Sequence, residues 1–405
     1  MTPDVILKAV RQSARPARRR AFLLSLPLLA FLFVAFIAPI VILLFTAISN
    51  PETREVLPNT LAALETWDGE TVPSEVVFAA FAGDLRKAQE NHSAAMLGKR
   101  LNYEIPGMRS RVMASARKVN SMAPGSYREQ FLQIDAGWAD IAIWKAIQRN
   151  GSAFTPYYML TAVDLERQSD GGIAHVQSDQ AIFLGILGRT LLIAATVTLA
   201  TLILGYPVAY LLTIAPASVG SIMMLMVLLP LWTSLLVRTT AWVVLLQTDG
   251  LINDILLRVG LISEKIQLIF TRGGTIVAMT HIQLPFTILP IYSVMRSIPP
   301  THLWAARSLG APPFSAFWRV YAPQTVPGVV AGCLITFILS LGYYITPALV
   351  GGPSDQMISN FISFFINRDL NWGQASALGV VLLLVTLGIY FVFLRVADAD
   401  KIRLG

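Results

Sequence analysis

The sequence predicts an all-α polytopic membrane protein with six transmembrane helices and one soluble helical insert. Three observations lead there. Hydrophobic residues make up 55% of the 405 residues and charged residues only 14%, with a mean hydropathy of +0.61; soluble domains carry about 25% charged residues. Several apolar runs exceed the ~20 residues needed to cross a hydrocarbon core. One long segment between the first two runs has a soluble composition instead.

The first element is the apolar run at 21–48, behind Lys8, Arg11, Arg15, Arg18, Arg19 and Arg20. Such a basic cluster beside an apolar span is a topology signal that keeps the N-terminus cytoplasmic. It also carries much of the net charge of +7, so that charge does not indicate nucleic-acid binding. The run is too long for a signal-peptide core and is expected to be retained as a helix. The five further spans are expected at 181–213, 219–246, 272–298, 325–350 and 374–396. Because a mid-membrane charge is costly unless it faces water or protein, the third span should break near Arg238. Residues 221–236 are then expected to cross, and 239–262 to form a helix-loop-helix at the outer surface. Six spans return the C-terminus to the cytoplasm, and Arg307, Arg319, Arg395, Lys401 and Arg403 lie on the side this predicts.

The expected domain organisation is therefore 1–48 for the N-terminus and first helix, 49–180 for an extracytoplasmic insert and 181–405 for a core of five spans. Within the insert, apolar residues recur at helical spacing in 74–89, 108–119, 127–134 and 139–147. Pro73, Pro106, Pro124 and Pro156 punctuate them. Phe131, Trp138, Trp144, Tyr157 and Tyr158 are expected to serve mainly as the insert's own core.

The loop at 299–324 combines a short amphipathic helix, a glycine break and a second short helix started by Pro312 and Pro313. Its pattern resembles the cytoplasmic coupling motif of ABC importer permeases: Glu-Ala-Ala, three residues, Gly, nine residues, then Ile-x-Leu-Pro. Ala305 and Ala306 fill the alanines, Gly310 the glycine, Val320 the isoleucine and Pro323 the proline, with the spacing matched throughout. Trp304 departs from the usual glutamate and Ala322 from the usual leucine. The resemblance extends over most of 180–396, through GRTLLIAATVTLATLILGYPVAY from Gly188, LPLWTSLLVRTTAWVVLLQTDGLIND from Leu229, QLPFTILPIYSVMRSIP from Gln283 and GGPSDQMISNFI from Gly351. These are similar to the spermidine/putrescine-type permeases. The large insert departs from the short outer loop of that group.

The resemblance implies a type I importer fold. It also implies a second permease chain, two cytoplasmic ATPases and an extracytoplasmic solute-binding protein as partners. Trp304, Ala305, Ala306, Arg307, Gly310, Arg319 and Pro323 would then couple to the ATPase, although Arg307 and Arg319 equally obey the positive-inside bias. The chain has no phosphate-binding loop of the form GxxxxGK[ST], so ATP and Mg would sit on the partner and this chain would hold no cofactor, metal or catalytic site. Segments 181–246 and 272–350 contain no Asp or Glu. Cation selection there would fall to aromatic faces such as Trp232, Tyr343 and Tyr344, which are also ordinary packing residues. His281 is either a pathway residue or a helix contact, and Asp249 and Asp355 are expected at the outer mouth. A polyamine-like solute is the expected cargo; opines, amino-acid-like compounds and other small organic solutes stay open. A membrane chemosensor shares the span–insert–span layout but needs a cytoplasmic signalling domain. An ion-coupled transporter needs ionisable groups in its spans.

Overall fold

The computed structural model describes residues 22–168 and 172–403, and the side chains of these up to 395. The basic cluster before the first span lies outside the described residues, as do Lys401 and Arg403 at the level of side chains. The chain divides into two compact units, 1–160 with 166–174, and 161–165 with 175–405.

The first unit begins with α1 (Phe22–Thr46), apolar along its length and buried nowhere within the chain. A π-helical turn interrupts it at Phe33–Ile37. The insert follows as α2 (Glu52–Val56), α3 (Pro58–Leu64), α4 (Glu75–Glu90), α5 (Ala94–Glu104), α6 (Met108–Lys118), α7 (Tyr127–Ile134), α8 (Ile141–Arg149) and α9 (Tyr157–Thr161). Its core is aromatic. Val77, Phe78, Phe81, Ala82, Leu85 and Ala88 lie at helical spacing on the buried face of α4. Phe78 and Phe81 meet Phe131, Trp138 and Trp144, with ring centroids 4.8–5.8 Å apart. Both buried indoles are satisfied: Trp138 donates to Ser115 Oγ (2.9 Å) and Trp144 to the Trp138 carbonyl (2.9 Å). Asp140 starts α8 by accepting from the Ala142 amide.

A buried polar cluster ties the insert's two ends together. Asn50 donates to the carbonyls of Asn150 and Ser152, and its backbone N–H donates to Ala153. The Thr155 N–H donates to Ile48 (2.8 Å). Arg100, 1% exposed, donates to Asn50 Oδ1 (2.7 Å) and Glu104 (3.0 Å) and lies over the rings of Tyr157 and Tyr158. Glu104 also accepts from Arg149 at 2.6 Å. Burial alone would raise the Glu104 pKa. The Arg100 charge and the Arg149 hydrogen bond outweigh it and hold the carboxyl below its ordinary value.

The second unit holds α10 (Phe183–Ile214), α11 (Ala217–Trp232), α12 (Leu235–Leu245), α13 (Leu251–Arg258), α14 (Arg272–Ser297), α15 (Thr301–Ser308), α16 (Pro313–Gly342), α17 (Ile345–Val350), α18 (Ile358–Asn367) and α19 (Trp372–Arg403). Two short strands, β1 (Leu165–Arg167) and β2 (Ile173–His175), form a ribbon where the chain passes between units. Among the described residues, α1, α10, α14, α16 and α19 are each long and apolar enough to span; α11 with α12 adds a sixth span if the bent pair counts as one.

Three expectations shift. The third span bends by 99°, but at Thr233–Ser234 rather than at Arg238. Pro230 removes a donor from the last turn of α11, and Ser234 starts the next helix by accepting from the Val237 amide. The outer helix-loop-helix is accordingly α12 and α13, and Arg238 sits in the first turn of α12. The fifth span starts at Pro313, not 325, and ends at Gly342, not 350. Tyr343 is extended, and Pro347 is accommodated in the first turn of a new helix, α17. The second short helix of the coupling loop is therefore continuous with the span. A π-helical turn at Phe317–Tyr321 joins the two just before Pro323, whose missing N–H would otherwise break the ladder.

Close packing of α10, α14 and α16 organises this unit. Gly328 and Gly332 of α16 face α14, and a Cβ on Gly332 would stand 2.8 Å from the Thr287 carbonyl oxygen. That contact lets backbones approach as small residues do in membrane interfaces. Three buried hydroxyls meet at the same level, Thr287 bonding Thr201 (2.9 Å) and Thr336 (2.6 Å).

Candidate functional site: the coupling loop and the broken helices

In the coupling loop, α15 ends in a Schellman cap. The Gly310 N–H donates to the Arg307 carbonyl and the Ala311 N–H to Ala306, both at 3.0 Å. Gly310 has φ +88°, a conformation that costs other residues about 1–2 kcal/mol. Nothing lies within 4 Å of a Cβ placed there, so backbone conformation and not space selects glycine.

The loop has an anchored side and a bare side. Leu303, Phe317 and Tyr321 pack with Tyr206 and Tyr210 of α10. His302 Nδ1 meets Gln324 Oε1 at 2.8 Å, linking α15 to α16. On the bare side, Trp304 is 62% exposed, Leu309 89%, Phe314 77% and Trp318 55%. Ala305, Arg307 and Arg319 are exposed too, whereas Ala306 and Pro323 are half-buried. The result is a rigid apolar knob with two cationic groups on it. Trp304 was singled out as a departure from the glutamate pattern, but Leu309, Phe314 and Trp318 were missed. Their hydrophobic character inside a polar loop was the available signal.

The second region lies where broken helices meet. The Thr239 hydroxyl of α12 bonds that of Thr346 in α17 (3.1 Å). Arg238 reaches the Ile282 carbonyl of α14 only at 3.5 Å, and its Nε has no partner. His281 Nδ1 accepts from Trp242 Nε1 (3.2 Å), which leaves His281 Nε2 as the protonated nitrogen. His281 also rims an apolar cavity of about 340 Å³ lined by Met223, Met226, Pro230 and Leu284. Tyr343, half-buried against Met279, lies within electrostatic reach of Arg238; Tyr344 is exposed. Trp232 is 75% exposed at the end of α11.

The two acids divide. Asp249 is exposed and pairs with Lys265 at 2.9 Å. Asp355 is 3% exposed and paired with Arg272 (2.9 Å), so it is a buried pin and not an open carboxylate. Arg189 donates to the Ser354 and Gln356 carbonyls beside it, fixing the loop that the GGPSDQM motif encodes.

A bundle of broken and close-packed spans carrying an exposed coupling knob defines a membrane transport subunit. Residues 202–403 match the family described as binding-protein-dependent transport system inner membrane component. The chain is 34% identical over 205 residues to the spermidine/putrescine transport system permease protein PotB of Escherichia coli (strain K12), covering 50% of this chain and 74% of that one. The PotB of Haemophilus influenzae is 32% identical over 216 residues, covering 53% and 75%. The inner membrane ABC transporter permease protein YdcU of Escherichia coli (strain K12) is 34% identical over 220 residues, covering 51% and 70%. This chain belongs to that family: it is the multi-pass inner-membrane permease subunit of an ABC importer. The family match leaves α2–α9 outside it.

Proposed function

We propose that this permease imports a small organic amine of the polyamine kind, powered by ATP hydrolysed on a separate chain. The observation that carries the coupling half of this reading is the knob of Trp304, Leu309, Phe314 and Trp318 on a helix capped at Gly310. A rigid apolar protrusion buries surface only by inserting into a groove on a partner. In this reading the groove belongs to one of two ATPases, which carry ATP and Mg. Ala305 permits close approach, Arg307 and Arg319 meet acidic groups, and Pro323 with the π-turn transmits the movement into α16. A second, different permease completes the pathway, and a solute-binding protein delivers the cargo. The names of the relatives support the amine cargo. Opines and amino-acid-like solutes are the variants of the same reading. Both termini lie in the cytoplasm of a bacterial cell, and the insert lies outside the membrane, where it contacts the docked binding protein.

Gly310 provides the test. Valine cannot take φ +88° without strain, and its loss of the cap swings the knob. Gly310→Val is expected to insert normally while losing ATPase co-purification or substrate-stimulated hydrolysis. Normal coupling in that variant overturns the reading.

A further inference from the structure

The coupling helix α15 is joined to the spans by non-helical backbone at both ends. Ile298 is extended after α14, and Gly310, at φ +88°, is followed by the extended Pro312 before α16. The angle of α15 is therefore left to side-chain contacts. Leu303 packs with Phe317 and Tyr321, but apolar contact is non-directional and resists separation more than rotation. A hydrogen bond, which has a preferred direction, fixes an angle better.

His302 and Gln324 supply such a bond. His302 lies in the first turn of α15, Gln324 follows Pro323 in α16, and Nδ1 stands 2.8 Å from Oε1. The far end of the Gln324 amide settles which atom donates. Its Nε2 donates to the Val320 carbonyl (2.6 Å), which only accepts, so Oε1 faces the imidazole and His302 Nδ1 carries the proton. Val320 lies inside the π-helical turn Phe317–Tyr321, a backbone irregularity of the kind often found at functional sites. Two hydrogen bonds in series thus run from the coupling helix, through one amide, to the backbone of the π-turn. The pair is exposed to water, so it contributes little to folding stability. Held at Val320, Gln324 is nevertheless already oriented towards α15.

We propose that His302 and Gln324 form a strut that holds the coupling helix at a fixed angle to α16, so that the two move as one body. Both are positioning residues. This rests on the coupling reading above and names the contact through which movement of the knob enters the span.

The whole importer in lipid vesicles provides the test, read as the fold stimulation of ATP hydrolysis by the binding protein. His302→Ala and Gln324→Leu should each keep the ATPase in the complex and lower that stimulation about two- to tenfold, the range of one hydrogen bond. The double variant should be no lower than either single one, because both remove the same bond. His302→Asn should restore most of the stimulation, its side-chain N–H taking the place of Nδ1–H. A cross-link then separates a strut from a contact that must break. Cys333, the one cysteine of the chain, is first replaced by alanine. His302→Cys with Gln324→Cys should then be poorly stimulated until a short bifunctional thiol reagent joins the two, and well stimulated afterwards. Unchanged stimulation in the single variants, additive losses in the double one, or further loss on cross-linking would each overturn the strut. Loss of the ATPase from His302→Ala would do so too, since His302 would then be a docking contact. No stimulation in the unaltered importer overturns the coupling reading itself, and failure to import putrescine overturns only the amine cargo.

Discussion

Trp304 and Arg100 show how differently single residues act in the two units. At 62% exposure Trp304 contributes little to the chain's own fold, so its role is read through a partner. Trp304→Ala is expected to weaken ATPase binding about tenfold or more, and Trp304→Phe much less, in a co-purification titration. Equal effects would point to a role for the indole N–H instead of apolar contact. Arg100 lies in the insert with Glu104 and the two tyrosines around it. Breaking a buried pair from one side costs about 3–5 kcal/mol. Arg100→Met should therefore speed hydrogen exchange of the α5 and α8 amides by at least a hundredfold in the intact chain. The Glu104 pKa is depressed by folding, so its stabilising effect is complete above the ordinary value of 4.5 and is lost as pH falls through the lower folded value. Protection factors of the same amides, corrected for the pH dependence of intrinsic exchange, should fall on acidification below about pH 4.5, and Glu104 should contribute no change between pH 6 and 8.

At the scale of elements, the spans were legible because a membrane demands long apolar runs, and five such helices plus a bent pair are present. Their ends were not. The break after α11 is set by Pro230 and the Ser234 cap, whose local chemistry is weaker in the sequence than the conspicuous charge of Arg238 four residues on. The fifth span was displaced at both ends because apolar content counts Ile345–Val350 as membrane, whereas the extended Tyr343 separates it. The glycine of the coupling loop was readable from spacing; the depth of Asp355 was not, since burial by Arg272 comes from 83 residues away. The long-range cap on α10 was equally hidden. Asp164, with φ 55°, accepts from the Phe183 and Leu184 amides at 2.9 and 2.7 Å. The contact of α14 with α16 yields its own prediction. Gly332→Leu places a side chain 2.8 Å from the Thr287 carbonyl, and the overpacking should cost about 1–3 kcal/mol. A lower midpoint in detergent with normal membrane insertion is expected, and Gly388→Leu, open around its Cβ, should change nothing.

For the whole molecule, the insert is a folded body that the family match leaves aside. If it docks the binding protein, removing it should leave the ATPase attached and lower substrate-stimulated hydrolysis. The excision must stop short of Asp164, because that carboxylate starts α10. Deleting 52–151 respects this limit. Unchanged binding-protein affinity and unchanged stimulation in a well-assembled deletion complex would sink the docking role.

The insert leaves the chain almost where it enters. Asn50 donates to Ala153, Thr155 to Ile48, and Ser49 faces Phe154 as an antiparallel bridge. Residues so paired have Cα atoms about 4.5–5.5 Å apart, little more than one peptide step. The segment is thus a cassette hung on a single clasp. A related chain with only a short turn at this point could receive it with two splice points and no change to its helices. The same clasp offers a place to seat a reporter domain, provided its own two termini lie as close together as this gap.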